Sequence, residues 1–226
     1  MNHDSPLISV ILPVHNGAAH IAEAIDSVLA QQHRPMEIVV VDDGSADESA
    51  VIAAGYGEPV RCFRQDNRGP AAARNLGLSM ARGSLIAFID ADDVWSPDKL
   101  HWQLSLLATT LSAMVVRGQV QRFSGAEREL VGEPWAAIHL GSSLFRRTAF
   151  DLVGPLDEAQ RLSEDVDWFM RAQQAGLQML VHRQVVLYYR RHEGNTTRDH
   201  EANRREFLLA TYKATQRSKQ RDGGTG

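Results

Sequence analysis

Two clusters of carboxylates follow short apolar runs in the first half of this 226-residue chain. Residues 42–43 (DD) follow the run 38–41, and residues 90–93 (DADD) follow the run 85–89. Because open parallel sheets bind ligands outside the carboxyl ends of their strands, we expect both clusters at one edge of a sheet. Closely spaced carboxylates repel one another, and Mg²⁺ or Mn²⁺ prefers such oxygen ligands. The pattern therefore predicts a divalent metal site that would in turn attract phosphates.

Helix capping is the alternative explanation for these acidic residues, because Asp and Ser side chains accept hydrogen bonds from the first amides of a helix. For Asp42 and Asp43 we weigh the two explanations about equally. Three carboxylates within residues 90–93 exceed what a single cap needs, so that cluster favours a functional role.

A segment of small residues lies between the two clusters, at residues 67–75 (NRGPAAARN). Gly and Ala let a ligand approach the backbone closely. Arg74 can offer a bidentate fork to a diphosphate, although an ordinary surface arginine is the alternative interpretation.

A third acidic pair, Glu164 and Asp165, opens a helix predicted over residues 163–175. Ser163 would cap this helix, and the two carboxylates would complement its positive end. A carboxylate held in this way can still face a cleft.

The spacing of apolar residues predicts strands that alternate with helices, which implies a parallel sheet covered on both faces. In the first half the predicted strands are 7–12, 38–41, 60–63 and 85–89. The predicted helices are 18–31, one capped by Ser45 with Glu48 as a capping box, 69–81, and one opened by Ser96 and Pro97. The second half is less regular, with strands at 113–123 and 179–189 and helices at 142–150, 163–175 and 199–220.

Composition excludes several classes of protein. A net charge of -4 argues against a dedicated nucleic-acid binder, which would carry a basic domain. The single cysteine, Cys62, indicates a reducing compartment. No run of about 18 apolar residues is present, and residues 1–6 resemble no signal peptide. We therefore expect a cytoplasmic protein, or one at the cytosolic face of a membrane.

Six motifs in register resemble glycosyltransferase family 2, the inverting enzymes with a GT-A fold. They are the segments 10–17 (VILPVHNG), 37–45 (EIVVVDDGS), 69–77 (GPAAARNLG), 88–93 (FIDADD), 162–168 (LSEDVDW) and 190–196 (RRHEGNT). Each motif is weak alone, whereas all six in order are specific. The resemblance covers residues 7–197.

The resemblance implies roles for individual residues and a mostly parallel, Rossmann-like sheet flanked by helices in a single domain. It implies Asp165 as the catalytic base; Asp167 could serve instead, but helical spacing turns it away from Asp165. It also implies Mn²⁺ or Mg²⁺ held by Asp92, and it places His192 at the metal and diphosphate, as in some members of the family. The implied contacts to the nucleotide-sugar come from Pro13, His15, Asn16, Asp43, Arg74, Asp90 and Ala91. His15 departs from the family, which usually has an aromatic residue there, and this puts base stacking in doubt.

The resemblance also implies an organisation and a substrate class. Residues 7–198 would form the transferase domain, with a nucleotide-sugar half at 7–110 and an acceptor half at 111–198, between disordered residues 1–6 and a C-terminal helix and tail at 199–226. The donor would be a nucleoside-diphosphate sugar, most commonly a UDP-sugar. The acceptor would be a glycan, a lipid-linked or a protein hydroxyl, in glycan or cell-surface polysaccharide biosynthesis, with no nucleic acid involved.

Three features stay open on the acceptor side. Trp95 and Trp135 are candidates for stacking on sugars. Basic residues of the final helix, Arg204, Arg205, Lys213, Arg217, Lys219 and Arg221, form either a solvated face or a peripheral contact with an anionic membrane.

Three rival functions are each disfavoured by the sequence. A nucleotidyltransferase would place a Gly-rich, basic loop after the first strand, and residues 13–17 contain no Lys or Arg. An inactive nucleotide-sugar-binding partner is disfavoured by the joint presence of Asp92, Glu164 and Asp165. A dinucleotide-binding dehydrogenase lacks its Gly-x-Gly-x-x-Gly at this place.

Overall fold

A computed structural model describes residues 5–125, 127–160, 162–192 and 200–222, apart from the side chains at 200–203, 206–207 and 218–222. Residues 1–4 and 223–226, which belong to the two ends expected to be disordered, lie outside the described residues. Residues 193–196 of the last motif and the side chains of Lys219 and Arg221 lie outside them too.

The described residues form strands and helices that alternate through the first half of the chain. The strands are β1 (Ile8–Val14), β2 (Met36–Asp43), β3 (Val60–Gln65), β4 (Leu85–Phe88), β5 (Val94–Trp95), β6 (Ala113–Ser124), β7 (Glu129–Trp135), β8 (Ser143–Arg146) and β9 (Gln178–Arg191). The helices are α1 (Ile21–Leu29), α2 (Ser49–Gly55), α3 (Pro70–Met80), α4 (Lys99–Thr109), α5 (Arg147–Val153), α6 (Glu164–Gln174) and α7 (His200–Asp222).

These strands join one sheet in the order β3-β2-β1-β4-β8-β6-β9-β5, with β7 paired to β6. The first four strands of this order pair in parallel, as do β6 and β9. Strand β8 is antiparallel to both β4 and β6, and β5 and β7 add further antiparallel pairs. The expected Rossmann-like sheet flanked by helices in a single domain is confirmed, with the antiparallel pairs concentrated in its second half.

The buried core explains why the strands of the first half could be predicted from the sequence. Strands β1 and β2 are buried along their whole lengths, and accordingly both are rich in β-branched residues. Helix α3 lies so close to β1 that a Cβ added at Gly77 would be 2.4 Å from a methyl group of Ile11. The small residue Gly77 and the buried strand β1 therefore set the distance between the sheet and α3, the helix that carries Arg74.

None of the three serines predicted to cap a helix does so, although α6 begins directly after Ser163 as predicted. Ser45 accepts a hydrogen bond from the Asn16 amide, and α2 begins four residues later, at Ser49, without a side-chain cap. Helix α4 begins at Lys99, three residues after Ser96. Ser163 has a left-handed backbone, with φ of 65°, and its side chain caps nothing.

The second half departs further from prediction. The helix expected over 142–150 is strand β8 followed by α5, because residues 143–146 pair with both β4 and β6. Strands β5 and β7 were not predicted. Two residues are too few for a periodicity, and β7 contains Gly132 and Pro134 and is largely exposed.

The C-terminal helix α7 forms ion pairs with α6 and with the segment that precedes α6. Lys213 lies 2.6 Å from Asp157, and Arg217 lies 3.0 Å from the buried carboxylate of Asp167. Lys213 and Arg217 therefore pair with acidic residues of the protein. Among the described residues, no helix combines the length and apolarity that crossing a bilayer requires.

Candidate active site

A single open cleft of about 1760 Å³ runs along the edge where β1, β2, β4, β6 and β9 end. Each of the ten residues predicted to form the site lines this cleft: Pro13, His15, Asn16, Asp43, Arg74, Asp90, Ala91, Asp92, Asp165 and His192. The fold thus brings together residues that are spread over about 180 positions of the sequence. Their chemical roles rest on the geometry described below.

The two acidic residues that end β2 have different surroundings. Asp42 is buried beneath the cleft, accepts a hydrogen bond from the Ser45 amide at 3.0 Å, and pairs with Arg64. Asp43 lines the cleft, and its two carboxylate oxygens accept hydrogen bonds from the backbone amides of Arg68 and Gly69. Asp42 thus holds the turn after β2 and caps no helix, because α2 begins only at Ser49, whereas Asp43 shapes the cleft wall.

His15 is held in one orientation at the same end of the cleft. Its Nδ1 donates to the backbone carbonyl oxygen of Asp43 at 2.8 Å, so Nε2 is the free acceptor and receives the side-chain amide of Asn16 at 3.1 Å. Asn67 lies beside the same ring, 3.2 Å from Nε2. Asn67 was not predicted as a site residue, and only its place in the small-residue segment could have indicated it.

Arg74 is a buried bridge between two parts of the cleft. Its guanidinium contacts Asp90 at 2.5 Å and also pairs with Glu164, which begins α6. Burial raises the pKa of Asp90, but the Arg74 charge opposes it and holds that pKa below its usual value. The interpretation of Arg74 as a surface arginine is wrong, because both carboxylates compensate its charge inside the fold.

Glu164 and Asp165 are adjacent in sequence but differ in their partners. Glu164 is committed to Arg74, whereas Asp165 accepts only the backbone amide of Val166, at 2.7 Å, among the hydrogen bonds of the described residues. Burial, together with the nearby Glu164 carboxylate, raises the pKa of Asp165 to about 7. Asp165 can therefore both hold and release a proton near neutral pH, which suits a general base.

Asp167, the other carboxylate considered as a base, does not line the cleft. It is buried and pairs with Arg171 at 2.8 Å and with Arg217 at 3.0 Å. Its role is to hold α7 against α6.

Asp92 and His192 meet on the opposite wall, with Oδ2 and Nε2 2.9 Å apart. Arg190 anchors this wall, because its Nε donates to the Asp92 carbonyl and its amide donates to Asp93. The Asp93 carboxylate keeps one buried oxygen without a hydrogen-bond partner among the described residues. Burial and the adjacent Asp92 and Asp90 raise the pKa of Asp93 well above its usual value.

These donors fit a divalent metal. Asp92 and His192 offer an oxygen and a nitrogen that are both partly open to the cleft. A ligand set of carboxylate and imidazole suits Mn²⁺, which accepts nitrogen as well as oxygen. Asp90, Asp93 and His139 form a second group whose ligand atoms lie within 4.8 Å of one another, but Arg74 already neutralises Asp90 there.

His139 is a cleft residue that sequence reasoning missed. The Gly141 amide donates to its Nδ1 at 3.0 Å, so Nε2 carries the proton and faces Asp90 at 3.8 Å. The fully buried Lys99 fixes this turn by donating to the carbonyl oxygens of Gly141 and Ser143. Burial lowers the pKa of Lys99 well below its usual value. No motif marks either residue, since the contacts come from the tertiary fold.

The two tryptophans considered for stacking on sugars lie in different parts of the structure. Trp95 is buried in the core beneath Lys99 and cannot reach a sugar. Trp135 lines the cleft, where the guanidinium of Arg122 lies 4.3 Å from its ring centroid.

Comparison with known sequences identifies relatives. A family model described as glycosyl transferase family 2 matches residues 9–152. An uncharacterized glycosyltransferase of Rickettsia typhi is 30% identical over 215 residues, covering 87% of this chain and 67% of that protein. TuaG of Bacillus subtilis, named for teichuronic acid biosynthesis, is 39% identical over 111 residues, covering 47% of this chain and 44% of that protein. The chain thus spans about two thirds or less of the length of these relatives.

Solved structures share the fold. PcManGT of Pyrobaculum calidifontis, a mannosyltransferase solved with GDP-Man and Mn²⁺, superposes with a TM-score of 0.75 at 20% identity, over 95% of this chain and 65% of that one. Residues 1–349 of TarS from S. aureus, solved with UDP-GlcNAc, give a TM-score of 0.71 at 21% identity, over 85% of this chain and 60% of that one. These likenesses establish the GT-A fold. The family model and the Rickettsia typhi relative show that the chain belongs to glycosyltransferase family 2.

Proposed function

We propose that this chain transfers a sugar from a nucleoside-diphosphate donor to an acceptor hydroxyl with inversion at the anomeric carbon. One observation carries the proposal. The base candidate Asp165 and the metal-ligand candidates Asp92 and His192 line one cleft, and the Arg74 bridge from Asp90 to Glu164 ties its parts together.

In this mechanism the nucleotide lies against Pro13, His15, Asn16 and Asp43, with Asp90 and Ala91 beside the ribose and donor sugar. The acceptor hydroxyl lies next to Asp165, which removes its proton as the oxygen attacks the anomeric carbon from the face opposite the nucleotide. A single displacement of this kind inverts the configuration. General-base assistance is typically worth about 10²- to 10⁴-fold in rate.

Departure of the nucleoside diphosphate requires compensation of its developing charge. Asp92 and His192 would hold Mn²⁺ or Mg²⁺, which acts as a Lewis acid on the leaving diphosphate when bound. Arg74 is paired with both Asp90 and Glu164, so its role is to hold Asp90 in place, and the proton on His139 Nε2 points to the same carboxylate.

The donor is expected to be a UDP-sugar, and solved neighbours support the class. TarS binds UDP-GlcNAc, and PcManGT binds GDP-Man with Mn²⁺. The TuaG relative supports an acceptor in cell-surface polysaccharide biosynthesis. The lone cysteine, Cys62, is half-buried and supports a reducing, cytoplasmic setting.

A donor panel tests this proposal. UDP-, GDP-, CDP- and dTDP-sugars are incubated with the chain and Mn²⁺, Mg²⁺ or EDTA, and release of free nucleotide is followed with and without glycan acceptors. We expect one nucleotide class to turn over, to require metal, and to give a product of inverted configuration by NMR. Release of pyrophosphate from a nucleoside triphosphate and a sugar phosphate would instead indicate a nucleotidyltransferase, and no turnover would indicate an inactive partner.

A further inference from the structure

The cleft contains arginines that have no role in the proposed donor chemistry. Three arginines line it, Arg74, Arg122 and Arg191. Arg74 is committed to Asp90 and Glu164. Neither Arg122 nor Arg191 forms an ion pair with a carboxylate among the described residues, although each is exposed to the cleft.

Strand register places these two arginines on one face. Arg122 on β6 pairs with Tyr189 on β9, and Ser124 pairs with Arg191 two residues further along. Side chains alternate along a strand, so Arg122 and Ser124 face the cleft while the intervening Phe123 is buried. The two guanidiniums are therefore diagonal neighbours on the cleft wall, with a hydroxyl beside each of them.

Arg190, the neighbouring arginine on β9, is buried and does not face the cleft. Arg190 points to the opposite face, where it pairs with Glu23, donates to the Asp92 carbonyl and lies 4.5 Å from the Phe123 ring centroid. Arg191, one residue later, has none of these partners and faces the cleft.

A contact with Trp135 restrains the side chain of Arg122. Its guanidinium lies 4.3 Å from the ring centroid of Trp135, a cation–π geometry that leaves the edge of the fork open. A stacked guanidinium loses less freedom when it binds a planar or tetrahedral oxyanion. Two like charges held side by side repel one another, and an anion between them would relieve that repulsion.

The place of this face in the sheet points to the acceptor. The residues proposed to contact the nucleotide base lie at the ends of β1 and β2, whereas Arg122 and Arg191 lie on β6 and β9, on the far side of β4 and β8. Asp165, which would receive the acceptor proton, lines the same cleft.

We propose, on the basis of the proposed function, that the acceptor carries an anionic group, a phosphate or a sugar carboxylate. Arg122 and Arg191 bind this group and so present the acceptor hydroxyl to Asp165. The two residues determine acceptor specificity and take no part in proton transfer.

Ligand-observed NMR titrations of the intact chain test this assignment, with glucose 6-phosphate, glucuronate and glucose as probes. Each titration is run alone and with a saturating nucleoside diphosphate and Mg²⁺. We expect at least one anionic probe to bind, glucose to bind at least about tenfold more weakly, and the nucleotide to leave binding in place. Which anion binds better distinguishes a phosphate-bearing from a carboxylate-bearing acceptor.

Two variants and a matched control locate the binding. Arg122→Gln and Arg191→Gln should each weaken the anionic probe at least about tenfold. Arg183→Gln removes the same charge from an exposed position of β9 outside the cleft and should change nothing.

Three outcomes overturn the proposal: no binding of either anion, equal binding of glucose, or displacement by the nucleotide, which would assign the arginines to the donor diphosphate. Nucleotide binding in the same samples is read separately. Its failure would count against the proposed function, whereas intact nucleotide binding with no discrimination by the arginine variants would count against this inference alone.

Discussion

Asp92 and His192 lie 2.9 Å apart although 100 residues separate them in sequence. The contact joins the end of β4 to the end of β9, the two strand ends that enclose the centre of the cleft. It makes the wall of the proposed metal site depend on both halves of the chain.

The first prediction concerns metal-dependent nucleotide binding. His192→Ala should weaken metal-dependent binding of the nucleoside diphosphate at least about tenfold, because loss of a nitrogen donor leaves Asp92 without its partner. Binding in EDTA should be unchanged. Calorimetry with and without Mn²⁺ measures the difference.

A matched control accompanies this variant. His101→Ala removes an exposed imidazole on α4 outside the cleft and should leave both affinities unchanged. Equal metal dependence in His192→Ala and the native chain would remove His192 from the site.

The second prediction concerns pH. Burial and Glu164 raise the pKa of Asp165 to about 7, and a general base acts in its deprotonated form. Arg74 and Asp90 also act on this carboxylate, with opposite effects on its pKa. We expect kcat/KM for transfer to rise with pH and to reach half its plateau near pH 7. A profile with no inflection between pH 5 and 9 would contradict this prediction.

The same raised pKa has a consequence for stability. Between the ordinary aspartate pKa of 3.8 and about 7, the folded chain keeps a proton that the unfolded chain has released, so this residue's contribution to stability is lost as the pH rises through about 7. Asp165→Asn stays neutral and should therefore gain in unfolding temperature relative to the native chain at pH 8. Thermal unfolding of both proteins at pH 5 and pH 8 measures this gain. A smaller gain at pH 8 than at pH 5 would contradict a raised pKa of Asp165.

The third prediction concerns the spacing of α3 and β1. A methyl group at Gly77 would meet Ile11 at 2.4 Å, so Gly77→Ala should destabilise the fold by about 1–2 kcal/mol after the gain in helix propensity is subtracted. Gly55→Ala is the control, because nothing lies within 4 Å of its added methyl and it should stabilise α2 by about 0.5–1 kcal/mol. Urea unfolding of both variants gives the comparison. Similar values for the two would mean that the helix can move away from the sheet.

The sequence predicted the parts of this fold that are governed by local chemistry. Strands β1 and β2 are buried on both faces and are therefore mostly apolar, and the carboxylates that follow the apolar runs of β2 and β4 lie where a parallel sheet binds ligands. The family resemblance supplied Asp165 and His192, which no periodicity would have selected.

What the sequence did not predict depends on long-range contacts. Strand β8 was mistaken for a helix because its pairing with β4 and β6 overrides the local pattern. His139 carries no local signal, since its orientation comes from Gly141 and the buried Lys99. Trp95 was a candidate for sugar binding, but tryptophan alone does not distinguish a cleft wall from a core position.

The central claim is that Asp165 is the base of a glycosyl transfer at this cleft. The most direct measurement compares transfer rate and nucleotide affinity in Asp165→Asn with those in Asp151→Asn, which neutralises an exposed carboxylate on α5 outside the cleft. We predict that Asp165→Asn loses transfer by about 10²- to 10⁴-fold while its metal-dependent nucleotide affinity stays within a few-fold of native. Near-native transfer in Asp165→Asn would contradict the account.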